Sequence, residues 1–167
     1  MKKGFTMIEL VFVIVILGIL AGIAIPRLAA TRDDASATKA AMEIKDVITQ
    51  VAAYYTINGK WAEAAVSTAG QEMINTNNQD ITGAATTQSK ALENLSATLN
   101  NVAGRAGDKW TACISITPTN TGGSILIGDK NATDSYCKTV AKVPAVEEWI
   151  KMGGKQGIIV GGSGIYK

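Results

Sequence analysis

The sequence predicts an α+β fold in which one long amino-terminal helix packs on a small antiparallel β-sheet. The first observation is a continuous apolar stretch near the amino terminus, followed by apolar residues spaced three and four apart. The second is a change after Trp110 to alternating apolar and polar residues, the period of a half-buried strand. The third is size, because 167 residues suit one domain with at most one appendage.

The apolar stretch is long enough to cross a membrane. In residues 5–26, 17 of 22 residues are apolar, and as a helix they would span about 33 Å, against a hydrocarbon core of about 30 Å. Lys2 and Lys3 precede it, which places the amino terminus in the cytoplasm and the rest of the chain outside. The stretch fits a plain signal anchor or a filament-subunit leader. It fits a cleaved signal less well, because the candidate small-residue cleavage site, at residues 28–30, follows a long apolar run, a proline and an arginine.

A plain anchor does not account for Glu9. A carboxylate inside an apolar segment costs about 2.5–3.5 kcal/mol on insertion scales, so such groups usually face a partner or mark a function. The alternative is a residue at the start of the helix, at the level of the lipid headgroups, where the helix dipole favours a negative charge.

The amino-terminal residues resemble a known leader. Met1-Lys2-Lys3-Gly4-Phe5-Thr6-Met7-Ile8-Glu9-Leu10, followed by an apolar helix with Gly18, Gly22 and Pro26, is similar to the type III leader of type IV pilins and of the pseudopilins of type II secretion. The resemblance is close over residues 1 to about 30 and looser to about Tyr55. It implies the pilin fold and a structural, non-catalytic subunit.

The resemblance also implies a processing site and an assembly contact. A membrane-embedded aspartyl peptidase would cut between Gly4 and Phe5, and the new amine of Phe5 would be N-methylated. In the filament, this amine would lie near the Glu9 carboxylate of a neighbouring subunit. Breaking such a buried pair strands a charge at a cost of about 3–5 kcal/mol, so Glu9 would set the register of assembly.

The stretch from Gly18 to Pro26 is weakly helical. Glycine costs about 1 kcal/mol in a helix interior, and Pro26 has no N–H to offer the Gly22 carbonyl. From the resemblance, we expect this stretch to extend or melt on assembly. Gly18 and Gly22 also form a G-x-x-x-G pair, although membrane helices often contain such small residues.

After Pro26 the pattern remains helical as far as Asn58-Gly59, where glycine provides a stop. A helix from Phe5 to about Ile57 would be close to 80 Å long. The predicted core face carries Ile44, Val47, Ile48, Val51 and Tyr55. The predicted polar face carries Arg32, Asp33, Lys39, Glu43, Lys45 and Asp46.

The remaining elements are shorter. Residues 60–108 predict a helix from about Thr87 to Val102, with Leu92, Leu95 and Leu99 at helical spacing and Gly104 after it, and a second helix from Trp61 to Ile74. Trp110, Ala112, Ile114 and Ile116 predict one face of a strand that is closed by Pro118. Further predicted elements are strands at Ser124–Ile127, Tyr136–Val140 and Ile158–Val160, and a helix at Val143–Met152.

The two cysteines, Cys113 and Cys137, predict a disulfide. The predicted topology places them outside the cytoplasm, where an even number of cysteines favours a disulfide. The bond would close a loop of 25 residues and stabilise the fold by about 3.5 kcal/mol. A metal site needs more ligands than two thiolates. The resemblance implies that pilins often carry a carboxy-terminal disulfide, whereas major pseudopilins commonly lack one. The cysteine pair therefore favours a pilin.

The segment from Gly128 to Asp134 has three interpretations. Asp129, Asn131 and Asp134 offer oxygens to a calcium ion, and major pseudopilins hold calcium in a carboxy-terminal loop, but the spacing departs from D-x-N-x-D-G and no bidentate glutamate follows. Asn131-Ala132-Thr133 is a glycosylation sequon, and Asp129 resembles the acidic residue of the extended bacterial sequon. The third interpretation is a plain polar hairpin loop.

Composition lowers the prospect of an enzyme. The chain has no histidine, which removes the commonest general base and metal ligand, and no pair of nucleophile and base is visible. No cofactor is predicted apart from the calcium alternative. The net charge of +2 shows no nucleic-acid specificity.

We therefore expect a type IV filament subunit that serves adhesion, motility, DNA uptake or type II protein secretion. The alternative is a signal-anchored periplasmic binding domain that does not polymerise. The subunit would cross the bacterial inner membrane once with its head in the periplasm, and later enter a pilus or pseudopilus. The predicted division is a leader at 1–4, a transmembrane and polymerisation helix at 5–26, an amphipathic spine at 27–58 and a head at 59–167, with a helical insertion at 60–108 and the sheet at 109–167. The implied partners are copies of the chain, minor pilins or pseudopilins, the prepilin peptidase and methyltransferase, and the inner-membrane assembly platform.

Overall fold

A computed structural model describes residues 4–68 and 71–161 of the chain. It shows the expected α+β fold, in which a long amino-terminal helix is followed by short helices and a small antiparallel sheet. The elements are α1 (Met7–Asn58), α2 (Ile81–Ala84), α3 (Lys90–Leu95), α4 (Ala97–Ala103), β1 (Ile114–Thr119), β2 (Ser124–Asp129), α5 (Ser135–Ala141), α6 (Pro144–Gly153) and β3 (Ile158–Ile159).

Helix α1 has two halves with different surroundings. Between Phe5 and Ile25, every large apolar side chain is at least 41% exposed. From Ala37 onward, one face is buried in the core, where Ile44, Val47 and Val51 are fully enclosed. The helix ends as predicted, because Gly59 adopts a left-handed φ of 71° and its N–H donates to the Tyr55 carbonyl over 2.7 Å.

The assignment of Glu43 to the polar face of α1 is wrong. Its side chain is only 14% exposed, because the Arg105 guanidinium donates to both carboxylate oxygens over 3.1 and 2.5 Å. The indole N–H of the fully buried Trp110 donates to the same carboxylate over 3.1 Å. Glu43 therefore joins α1 to the segment before β1 instead of facing solvent.

The sheet has the order β1-β2-β3 with antiparallel neighbours. In the β1-β2 hairpin, Ile116 lies opposite Ile127. The alternation of buried and exposed residues begins only at Ile114, because Trp110–Ala112 form a turn of 3-10 helix that leaves Ala112 exposed. The expectation that the strand starts at Trp110 is therefore wrong by four residues.

The outer edge of β1 is covered by the segment that leads into α2. The Asn78 N–H donates to the Pro118 carbonyl over 2.7 Å, and the Ile116 N–H donates to Asp80 Oδ1 over 3.1 Å. The Thr82 hydroxyl donates to the Ile114 carbonyl over 2.9 Å. Side chains and a loop thus satisfy the backbone groups that a neighbouring strand would otherwise pair.

The segment predicted as a strand at Tyr136–Val140 is helix α5. Asp134 Oδ1 accepts the Cys137 N–H over 2.8 Å, which caps the first turn and favours a helix over the strand that Tyr, Thr and Val suggest. Cys137 and Val140 point into the core. The third strand of the sheet is Ile158–Ile159, close to the predicted position, and α6 agrees with the helix predicted at Val143–Met152.

Two helix predictions between the spine and the sheet need correction. The described residues of Trp61–Ile74 are not helical: Val66 and Met73 form an antiparallel bridge, and the Trp61 N–H donates to Asn120 Oδ1 over 2.8 Å. The helix predicted from about Thr87 to Val102 is divided at Ser96, whose extended backbone and hydroxyl cap α4 through the Leu99 N–H. Leu92, Leu95 and Leu99 are nevertheless buried as expected.

Candidate functional site

The exposed half of α1 is the first candidate site. Met7–Ile25 forms 19 residues of apolar helix, and this stretch is not buried against the rest of the described structure. At 1.5 Å per residue it extends about 28 Å. By length and composition it suits a membrane span. Lys2 and Lys3, which predict its orientation, lie outside the described residues.

Gly4, Gly18 and Gly22 make no contact that the fold of the head requires. Among residues 4–68 and 71–161, and apart from chain neighbours and the helix's own backbone, a Cβ on any of them would meet no atom within 4 Å. Phe5, on the other side of the predicted cleavage bond, is 87% exposed. Any requirement for small residues at positions 4, 18 and 22 therefore comes from contacts outside the subunit.

Glu9 lies in the first turn of α1 and is held by Thr6. One oxygen of its carboxylate accepts the Thr6 N–H over 2.9 Å and the Thr6 hydroxyl over 2.5 Å. This is the local arrangement expected for an acidic residue at a helix amino terminus. Because a carboxylate has about four acceptor positions, two bonds from Thr6 leave room for a second partner.

The stretch from Gly18 to Pro26, predicted to be weak, is helical in the single subunit. Helix α1 continues without a break through Pro26 to the spine. The expected extension on assembly concerns a filament and remains a prediction.

The cysteines form the predicted disulfide. Cys113 and Cys137 are bonded, with their Cα atoms 5.0 Å apart, and both side chains are buried. The bond ties the residue before β1 to the first turn of α5. It lies close to the loop between β2 and α5, which is the second candidate site.

In that loop, the three calcium candidates already make local hydrogen bonds. Asp129 Oδ1 accepts the Asn131 N–H over 2.7 Å, and Asp134 caps α5. Asn131 adopts a left-handed φ of 54°. This is the geometry of a turn followed by a helix cap. Within residues 4–68 and 71–161, no group of three or more His, Cys, Asp or Glu residues is placed to hold a metal ion.

Lys130 and Asp80 form a contact that the sequence analysis missed. Lys130 Nζ lies 2.8 Å from Asp80 Oδ2 and also donates to the Thr82 hydroxyl and the Thr111 carbonyl. Burial on its own raises the pKa of Asp80, but hydrogen bonds from Lys130, Thr82 and the Ile116 N–H outweigh it, and the net pKa is lowered. Asp80 caps α2, and an aspartate before an apolar residue could have signalled that cap.

Comparison with known proteins bears on the first site. Residues 1–25 match the family described as the prokaryotic N-terminal methylation motif. Neither the curated proteins nor the solved structures gave a match. The exposed apolar helix, joined to an α+β head, suits a membrane anchor by length and composition.

The match at its amino terminus supports a type IV pilin-like prepilin. Proteins with this motif are structural rather than catalytic, and they assemble with other pilin subunits. The cleavage bond, the methylated amine and the assembly contact at Glu9 remain predictions.

Proposed function

We propose that this protein is a structural subunit of a type IV filament and that it polymerises through its amino-terminal helix. The observation that carries the proposal is the continuity of α1. One helix has its apolar side chains exposed over Met7–Ile25 and contributes one face to the core from Ala37 onward. An apolar face of this size needs a cover, which a membrane provides before assembly and other copies provide after it.

Processing would precede assembly. A prepilin peptidase cuts between Gly4 and Phe5, and a methyltransferase modifies the Phe5 amine. The high exposure of Phe5 and the empty space around Gly4 support access by these enzymes. The mature chain then consists of the polymerisation helix at 5–26, the spine at 27–58 and the head at 59–167.

In the filament, Glu9 accepts the Phe5 amine of a neighbouring subunit. The carboxylate is already held in a fixed orientation by Thr6, which supports a role in register selection. A misplaced neighbour would leave a charged group unpaired in a dry core, at a cost of about 3–5 kcal/mol.

The head faces the periplasm while the subunit is anchored in the inner membrane. The assembly platform and minor subunits are its further partners. Of the two filaments, the disulfide supports a pilus over a secretion pseudopilus, because pilins often carry a carboxy-terminal disulfide and major pseudopilins commonly lack one.

The test replaces Glu9 with alanine in cells that make no wild-type subunit. The variant should insert in the membrane and be processed, but be missing from filaments sheared off the cells. Glu148→Ala is the matched control, because it removes an exposed carboxylate from α6. Normal filament yield from Glu9→Ala would show that the assigned role is wrong.

The amino-terminal mass of the membrane protein separates this proposal from a non-polymerising anchored domain. A filament subunit begins with N-methylated Phe5, and Gly4→Leu should leave it unprocessed. An anchored binding domain would keep Met1 or begin near Ala30. Either of the latter results would contradict the filament assignment.

A further inference from the structure

The chain contains two Asn-x-Ser/Thr sequons, at Asn94 and at Asn131. Transfer of a saccharide to an asparagine requires an accessible side-chain amide and an accessible hydroxyl two residues later. The structure meets these requirements at one sequon and not at the other.

The sequon at Asn94 is closed. Asn94 lies in α3, and its side-chain amide donates to the Glu72 carbonyl over 2.8 Å. The hydroxyl of Ser96, which is 1% exposed, donates to Gln50 Oε1 over 2.7 Å and accepts the Leu99 N–H. A transferase would have to unfold the start of α4 to reach it.

The sequon at Asn131 is open, because within the described residues its side-chain amide makes only a long hydrogen bond of 3.4 Å to the Asp129 carbonyl, between exposed groups. Residues 130–134 form an irregular link between β2 and α5, and both Asn131 and Thr133 are exposed. Asp129, two residues before the asparagine, accepts the Asn131 N–H over 2.7 Å, so the acidic group and the acceptor are presented side by side. Lys130 and the cap at Asp134 fix the two ends of the link.

The position of the link favours access to a membrane enzyme. It leads directly into Ser135, whose hydroxyl donates to Asp33 Oδ2 over 3.3 Å. Asp33 follows Ile25, the end of the apolar span, by eight residues, a rise of about 12 Å along α1. Ser135, four residues after Asn131, therefore lies near the end of the apolar span, on the side where a lipid-linked donor would be available.

We propose that Asn131 is N-glycosylated by a membrane oligosaccharyltransferase that reads the acidic residue at position 129. The Asn131 amide nitrogen attacks the anomeric carbon of a saccharide carried on polyprenyl pyrophosphate. A carbon–nitrogen bond forms, the bond from that carbon to the pyrophosphate oxygen breaks, and the polyprenyl pyrophosphate leaves with the electron pair. One amide proton passes to a base of the enzyme, and nothing is oxidised or reduced.

The modification requires an exported head but no polymerisation, so its failure and the failure of the filament assignment are distinguishable. The experiment is the intact mass of the full chain, purified in detergent from the cells that make it. The expected wild-type mass is that of the polypeptide, either full-length or processed after Gly4 and methylated, plus one saccharide. Asn131→Gln and Thr133→Ala should lose this increment, and Asp129→Ala should show severalfold lower occupancy.

Two variants control for folding and for site. Thr133→Ser keeps the sequon and should keep the increment, and Asn94→Gln should also keep it. A wild-type mass without an increment, or an increment that persists in Asn131→Gln, would overturn the proposal.

Discussion

Replacing Glu43 with alanine should destabilise the head by about 2–5 kcal/mol. The indole N–H of the fully buried Trp110 would lose its acceptor, and an unsatisfied buried donor costs about 1–3 kcal/mol. Arg105 is 33% exposed and can recover water, so the loss of its paired carboxylate adds only about 0–1 kcal/mol. The removed apolar carbon adds about 0.8 kcal/mol.

The assay is urea unfolding of the full chain in detergent micelles, followed by tryptophan fluorescence. With a denaturant slope of about 2 kcal/mol per molar, the unfolding midpoint should fall by about 1–2.5 M. Arg105→Ala should cost less in the Glu43→Ala background than in the wild type, because the two side chains interact.

Lys39→Ala is the matched control for this experiment. Lys39 Nζ is 4.0 Å from the same carboxylate but its side chain is 68% exposed, so its loss should change the free energy of unfolding by under about 0.5 kcal/mol. A Glu43→Ala variant as stable as Lys39→Ala would refute the structural role given to Glu43.

Three further predictions concern the head. Asp80→Asn should destabilise at neutral pH. The pKa of Asp80 is lower in the folded state than its unfolded value of about 3.8. Its contribution to the free energy of unfolding is therefore present above about pH 3.8 and is lost as pH falls through the folded-state pKa. The free energies of unfolding of the wild type and the variant should converge below about pH 4. Gly153→Ala should cost about 3 kcal/mol or more in thermal unfolding, because its Cβ would overlap the Ile127 carbonyl, and a variant as stable as the wild type would be inconsistent with this packing. Reduction of the Cys113–Cys137 bond should lower the free energy of unfolding by about 3.5 kcal/mol, and equal urea midpoints with and without reductant would contradict this.

The elements that the sequence predicts well are those governed by local signals. The apolar span, the three-and-four spacing along the spine and Gly59 define α1 without reference to the rest of the chain. The β1-β2 hairpin follows in the same way from alternation beside a glycine-containing turn. The amino-terminal motif is similarly local, which is why it could be recognised before the fold was known.

The failed predictions depend on partners distant in sequence. Its spacing assigns Glu43 to the polar face, but Arg105 and Trp110, 62 and 67 residues later, make its burial favourable. Tyr136–Val140 have strand propensity, but the cap at Asp134 and the bond from Cys137 to Cys113 favour a helix there. Trp61 is drawn into the core beside Asn120, which a helix over that segment would not allow.

The covered edge of β1 limits how copies of this protein can associate. Anchored heads are confined to a plane and collide far more often than free proteins at the same number per cell. An open strand edge would then nucleate irreversible sheet growth between neighbours. Because Asn78, Asp80 and Thr82 occupy that edge, β1 offers neighbouring heads no free strand edge for such growth.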